Sequence, residues 1–168
     1  MKGIYLAAYR AYHPDFNIIY QDINGNRDIS GDMMDIDLDP YDFIIATPPC
    51  NYWSRARGNK KPSNYALNTA HLLPDIIFKL KDLNKPFIVE NVRNDKKFKD
   101  LGILDLNNVY VYRIGRHTYW SSCMFNQWIN QTVEYVKYHH DTKIDSRQGS
   151  VNVHNVIESW LKEIHNNY

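Results

Sequence analysis

Glycine, cysteine and net charge are all in short supply in this chain. Of 168 residues only 7 are glycine and 2 are cysteine, and the formal net charge is +1. The opening Met1–Arg10 carries a single glycine, Gly3, so no glycine-rich turn stands there to let a ligand approach the backbone closely. Cys50 and Cys123 offer neither a disulfide framework nor a Cys-x-x-Cys metal pattern. The histidines include the neighbours His139-His140 but no helical His-x-x-x-His pair, so no metal is expected. A balanced charge means that contact with nucleic acid must come from local basic clusters. No apolar run approaches the ~18 residues that span a bilayer, and no signal-peptide pattern opens the chain. A soluble, cytoplasmic protein with no membrane partner is the expectation.

What is present is an ordinary globular balance, 43% hydrophobic and 23% charged. The length suits one domain that buries roughly two thirds of its unfolded surface. Strand-like runs recur at Asn17–Gln21, Phe43–Ala46, Pro86–Val89 and Val109–Tyr112. Between the second and third, Ala66, Leu67, Ala70, Leu73, Ile77 and Leu80 recur at helical spacing over Asn64–Leu83. Pro74 predicts a break or a new first turn inside that pattern. A second amphipathic helix is predicted over Val151–Ile164. Strands alternating with helical stretches argue for an α/β fold, an open and mostly parallel sheet flanked by helices.

The most informative stretch runs from Asp42 to Ser54. A short apolar strand, Phe43–Ala46, ends at Pro48-Pro49, where neither residue can donate to a ladder. Cys50 follows at once, at the carboxyl end of a strand, where α/β folds place their chemistry. Taken alone, a lone thiol is more often structural than reactive. Forty positions on, Phe87–Val89 closes on Glu90-Asn91-Val92. Arg116-His117 lies beside a further strand, and Gln148-Gly149-Ser150-Val151 opens the last helix. Cys50, next to a loop carrying Arg55, Arg57, Lys60 and Lys61, is expected to have a lowered pKa and to react before Cys123, which sits in the aromatic stretch Tyr119–Phe125.

This ordered set resembles the DNA cytosine-5 methyltransferase family, most closely the short forms found in phages. The resemblance runs from about Asn17 to Val156. It implies a Rossmann-like class I methyltransferase fold, with residues 1–168 as a single domain. It implies a catalytic thiol at Cys50 and a catalytic acid at Glu90, with Arg116 orienting that carboxylate and meeting the target base. S-adenosylmethionine is the implied cofactor, held by Asp22, Asp32, Pro48, Gly149 and Ser150. DNA is the implied partner, met by Ser54, Arg55 and Arg57, with the target cytosine flipped from the helix. For a phage-encoded chain the place of action would be the bacterial host cytoplasm.

The chain also departs from the family pattern. The family begins with a strand and a Gly-x-Gly-Gly turn, which is missing here. Either the chain starts at the family's first helix, since Ile4, Ala7, Ala8 and Ala11 have helical spacing, or Gly3–Ala8 is the first strand and the next helix has shrunk to the loop Arg10–Asp15. The helix reading is slightly preferred. Weak cofactor affinity is expected, or a second chain that completes the cofactor site. Ile114, Arg116 and Thr118 stand where the family has Gln-x-Arg-x-Arg. Residues 121–149 leave space for a minimal insert in place of a target-recognition domain. The alternative is an inactive homologue that binds DNA or a partner; an unrelated small α/β thiol enzyme is a third reading.

Overall fold

The computed structural model describes residues 1–9, 11–124 and 149–167, and for 149–152 the backbone alone. Its strands are β1 (Gly3–Leu6), β2 (Ile18–Asp22), β3 (Ile29–Ser30), β4 (Phe43–Ala46), β5 (Phe87–Val92), β6 (Tyr110–Ile114) and β7 (His117–Ser121). They form one sheet in the order β3-β2-β1-β4-β5-β7-β6. The first five run parallel, with Ile4 beside both Ile19 and Ile44, and Ile45 beside Ile88. β7 runs antiparallel between β5 and β6, which it meets as a hairpin through Gly115-Arg116.

The helices are α1 (Asn64–Thr69), α2 (Leu72–Lys81), α3 (Asp95–Asp100) and α4 (Gly149–Asn167). Strand residues alternate between two apolar layers, as the pleat requires. Ile4, Leu6, Ile44, Ala46, Phe87 and Val89 pack with Leu73, Ile76, Ile77 and Leu80 of α2 and with Phe98 of α3. Tyr5, Phe43, Ile45 and Ile88 face the other way and meet Val156, Ile157, Trp160, Leu161 and Ile164 of α4. The result is the α/β, Rossmann-like arrangement expected from the sequence: a mostly parallel sheet covered by helices. No helix among the described residues is long and apolar enough to cross a membrane.

Two expectations need correction. The chain does not begin with a helix: Gly3–Leu6 is a strand in the middle of the sheet, every residue of it buried. A central strand is apolar on both faces, and that run of Ile, Leu and Ala also fits a helical period by coincidence. The aromatic strand near Tyr119–Phe125 is displaced to His117–Ser121, because it pairs with β5 from Ile88 to Val92. Pro74 lies in the first turn of α2, where it displaces no interior hydrogen bond, and the break falls just before it. Of the 121–149 insert, residues 125–148 lie outside the described residues.

Candidate active site

The sheet reverses its order between β1 and β4, since β2 and β3 lie to one side and β5 to the other. Such a switch point leaves a crevice at the carboxyl ends of the strands. A cleft of about 780 Å³ occupies that place, and Asp22, Asp32, Pro48, Cys50, Glu90 and His117 all line it. Five sequence-predicted positions, from four different connections, therefore meet in one cavity.

The thiol side is firmly built. Asn91 Nδ2 donates to the Pro48 carbonyl at 2.9 Å, and Asn94 Nδ2 donates to the Trp53 carbonyl at 2.8 Å. The amides of Trp53 and Ser54 both donate back to the Cys50 carbonyl, closing a tight turn. Trp53 then plugs the turn into the core against Phe98, their rings 5.6 Å apart. Cys50 is left at the mouth, exposed to solvent. Its thiol is nonetheless pushed up, first by desolvation within the cleft and then by the negative charge of Glu90. That overturns the expectation of a thiol lowered by the adjacent basic loop. Arg57 directs its guanidinium at the Asn51 and Tyr52 carbonyls instead, and Arg55 is exposed on a 3₁₀ turn that Ser54 caps.

The acid has a partner that sequence reading missed. His117 Nδ1 lies 2.5 Å from Glu90 Oε1. An ionised carboxylate only accepts, so the ring nitrogen is the donor when Glu90 is charged. His117 reaches Glu90 because β7 pairs antiparallel with β5, setting Tyr119 opposite Glu90 and His117 opposite Val92. Residues diagonal across a pair share a face and stay within reach of long side chains. Arg116, expected to orient Glu90, sits exposed in the hairpin turn, its carbonyl accepting from the Arg93 amide. The signal that points to His117 is the strand pairing, which the sequence does not display.

The opposite wall comes from the ends of β1 and β2. Asp22 closes β2 and is only 6% exposed, and its Oδ2 is buried without a partner. Asp32 is exposed at the rim, its Oδ1 accepting from the Met34 amide. Where a glycine turn would follow β1, Ala7 adopts φ 55°, a left-handed conformation that costs an L-residue ~1–2 kcal/mol. Polar side chains hold it there: Gln21 Oε1 accepts from the Ala7 amide at 2.8 Å, and Thr47 Oγ1 donates to the Ala7 carbonyl at 3.2 Å. Gly149 and Ser150 contribute backbone to the first turn of α4, whose Val153 and His154 also line the cleft.

A crevice at the switch point of a seven-stranded sheet, with β7 antiparallel, defines a Rossmann-like methyltransferase. Residues 3–112, more than half of the chain, match the family model described as C-5 cytosine-specific DNA methylase. The chain belongs to that family. No curated protein matches it.

Proposed function

We propose that this protein transfers a methyl group from S-adenosylmethionine to C5 of a cytosine in DNA, with Cys50 as the nucleophile. The observation that supports this best is the meeting of Cys50, the Glu90–His117 pair and the orphaned Asp22 carboxylate in one cleft. Cytosine C5 is a poor nucleophile until something adds at C6. The Cys50 thiol loses its proton, and its sulfur forms a bond to C6, leaving an electron-rich C5. Glu90 would hydrogen-bond or protonate N3 of the ring and draw charge away from C6, and His117, bonded to its Oε1, would orient it. Asn91 fixes the Pro48–Cys50 backbone, so the sulfur is presented at a set position.

The wall opposite fits the cofactor. A buried carboxylate oxygen with no partner costs ~1–3 kcal/mol unless a donor reaches it, and the ribose hydroxyls of S-adenosylmethionine are such donors for Asp22. Asp32 at the rim would meet the adenine end, and Pro48 and the start of α4, Gly149-Ser150, would border the rest. When bound, S-adenosylmethionine would supply the electrophilic methyl group that C5 takes up, leaving as S-adenosylhomocysteine; loss of the C5 proton and of the Cys50 thiolate from C6 would then give 5-methylcytosine and the free chain. Ser54, Arg55 and Arg57, on the turn after Cys50, would face the phosphates around the gap left by the flipped base.

The test is incorporation of labelled methyl groups from S-adenosylmethionine into cytosine-containing DNA, read as 5-methylcytosine. Wild type is expected to show it and Cys50→Ser to lose it by on the order of 10³-fold or more. A folded wild-type chain that binds DNA but yields no 5-methylcytosine, alone or at high concentration, would overturn the enzymatic reading in favour of a binding homologue. Activity that rises more steeply than protein concentration would point to a second chain completing the cofactor site.

A further inference from the structure

We propose that His13, His154 and Glu158 form a binding site for one divalent transition-metal ion, where the β1–β2 connection meets α4. His154 and Glu158 lie one turn apart on α4, with His154 Nε2 at 3.2 Å from Glu158 Oε2. Ligands of a tetrahedral ion at ~2.0–2.1 Å are about 3.3 Å from one another, so this pair is already spaced for chelation. His13 comes from the helix-free connection between β1 and β2. One donor atom from each of the three residues lies within 4.8 Å of the others.

His13 is the second, independent observation. It is 3% exposed, and its Nδ1 is buried with no partner. Its ring stacks on that of His154 with centroids 4.4 Å apart and planes 6° from parallel. Lys162 Nζ lies 2.6 Å from Glu158 Oε1, which leaves Oε2 on the His154 side. Bringing the donors together takes a rotation of His154 and Glu158, both of which reach solvent.

Two imidazoles and one carboxylate suit zinc, cobalt or nickel and disfavour magnesium or calcium. Three protein ligands leave a fourth position for water. Bound there, the ion ties the β1–β2 connection to α4.

The experiment is a titration of the untagged full chain with Co²⁺, followed by visible absorption, with thermal unfolding in Zn²⁺ beside it. Expected are one-to-one saturation with the ligand-field bands of four-coordinate Co²⁺, their loss on adding Zn²⁺, and a raised unfolding midpoint in Zn²⁺. His154→Ala and Glu158→Gln, on the solvent side of α4, should keep the wild-type circular dichroism and weaken Co²⁺ binding at least ~tenfold. Absence of the bands from the folded wild type at millimolar Co²⁺ would overturn the proposal. Bands equally strong in both variants would overturn it too, placing the metal elsewhere on the chain. Neither result depends on methyl transfer.

Discussion

The two walls of the cleft are held in place by different means. On the β4–β5 side, apolar packing and two asparagine side chains fasten the turn that carries Cys50, and α1 and α2 connect the strands below it. On the β1–β2 side there is no helix between the strands. Side chains of β2 and the turn after it do that work. Gln21 bridges the Ala7 amide and the Gly31 carbonyl, the Tyr20 hydroxyl accepts from the His13 amide, and Arg27 donates to the Ala11 carbonyl. Hydrophobic burial is non-directional, whereas each of these bonds fixes one backbone group. The β4–β5 wall is therefore expected to tolerate single polar losses, and the β1–β2 wall to depend on them.

Four substitutions sharpen that contrast. Glu90→Gln should have the largest effect, lowering methyl transfer by ~10²–10⁴-fold through loss of the general acid. The same change removes the negative charge that raises Cys50, so alkylation of Cys50 by iodoacetamide at neutral pH should become a few-fold faster, by analogy with other charge-controlled thiols. In wild type, with its thiol raised, the rate of alkylation should climb as pH rises through the thiol pKa, above the usual ~8.5. A Glu90→Gln chain that alkylates more slowly than wild type would show that Glu90 assists ionisation instead.

Asp22→Ala comes next. It removes a carboxylate acceptor that would make charged hydrogen bonds worth ~1.5–3 kcal/mol, a loss of about 10–150-fold in S-adenosylmethionine affinity by calorimetry. An unchanged affinity would move the ribose elsewhere in the cleft. Asn91→Ala leaves the buried Pro48 carbonyl without its donor, at about 1–3 kcal/mol of folding stability in denaturant titration. If instead its loss proves as costly as that of Gln21, the two walls are not different in kind. Ala7→Gly is the smallest. Relief of the left-handed alanine outweighs the greater chain entropy of glycine by about 0.5–1 kcal/mol, a rise of about 1–4 °C in unfolding midpoint.

Legibility in the sequence followed the same division. β4 and β5 could be read because each is an apolar run closed by strong end signals, prolines in one and an acid in the other. Cys50 and Glu90 were legible as residues that end apolar strands, whereas Asp22, Asp32 and Pro48 came from the resemblance to the methyltransferase family; all five line the one cleft. β1 stayed ambiguous because four buried residues fit either period. α3, Asp-Lys-Lys-Phe-Lys-Asp, was missed because a short, charged helix with one buried side chain, Phe98, shows no periodicity. His117 was passed over for Arg116 because its meaning lies in an antiparallel register, a non-local property. Ala7 gave no warning either, since its strain belongs to the backbone and not to the residue type.

Gly3 and Phe43 face each other in register across β1 and β4. A Cβ on Gly3 would overlap the Cε2–Cζ edge of the Phe43 ring. Phe43 has no room to withdraw, because its ring is packed edge-on against Trp160 and His165 of α4. One aromatic ring thus fills the volume of two side chains. Positions 3 and 43 should accordingly trade size in evolution: a relative with alanine or valine at the first is expected to carry a smaller residue than phenylalanine at the second.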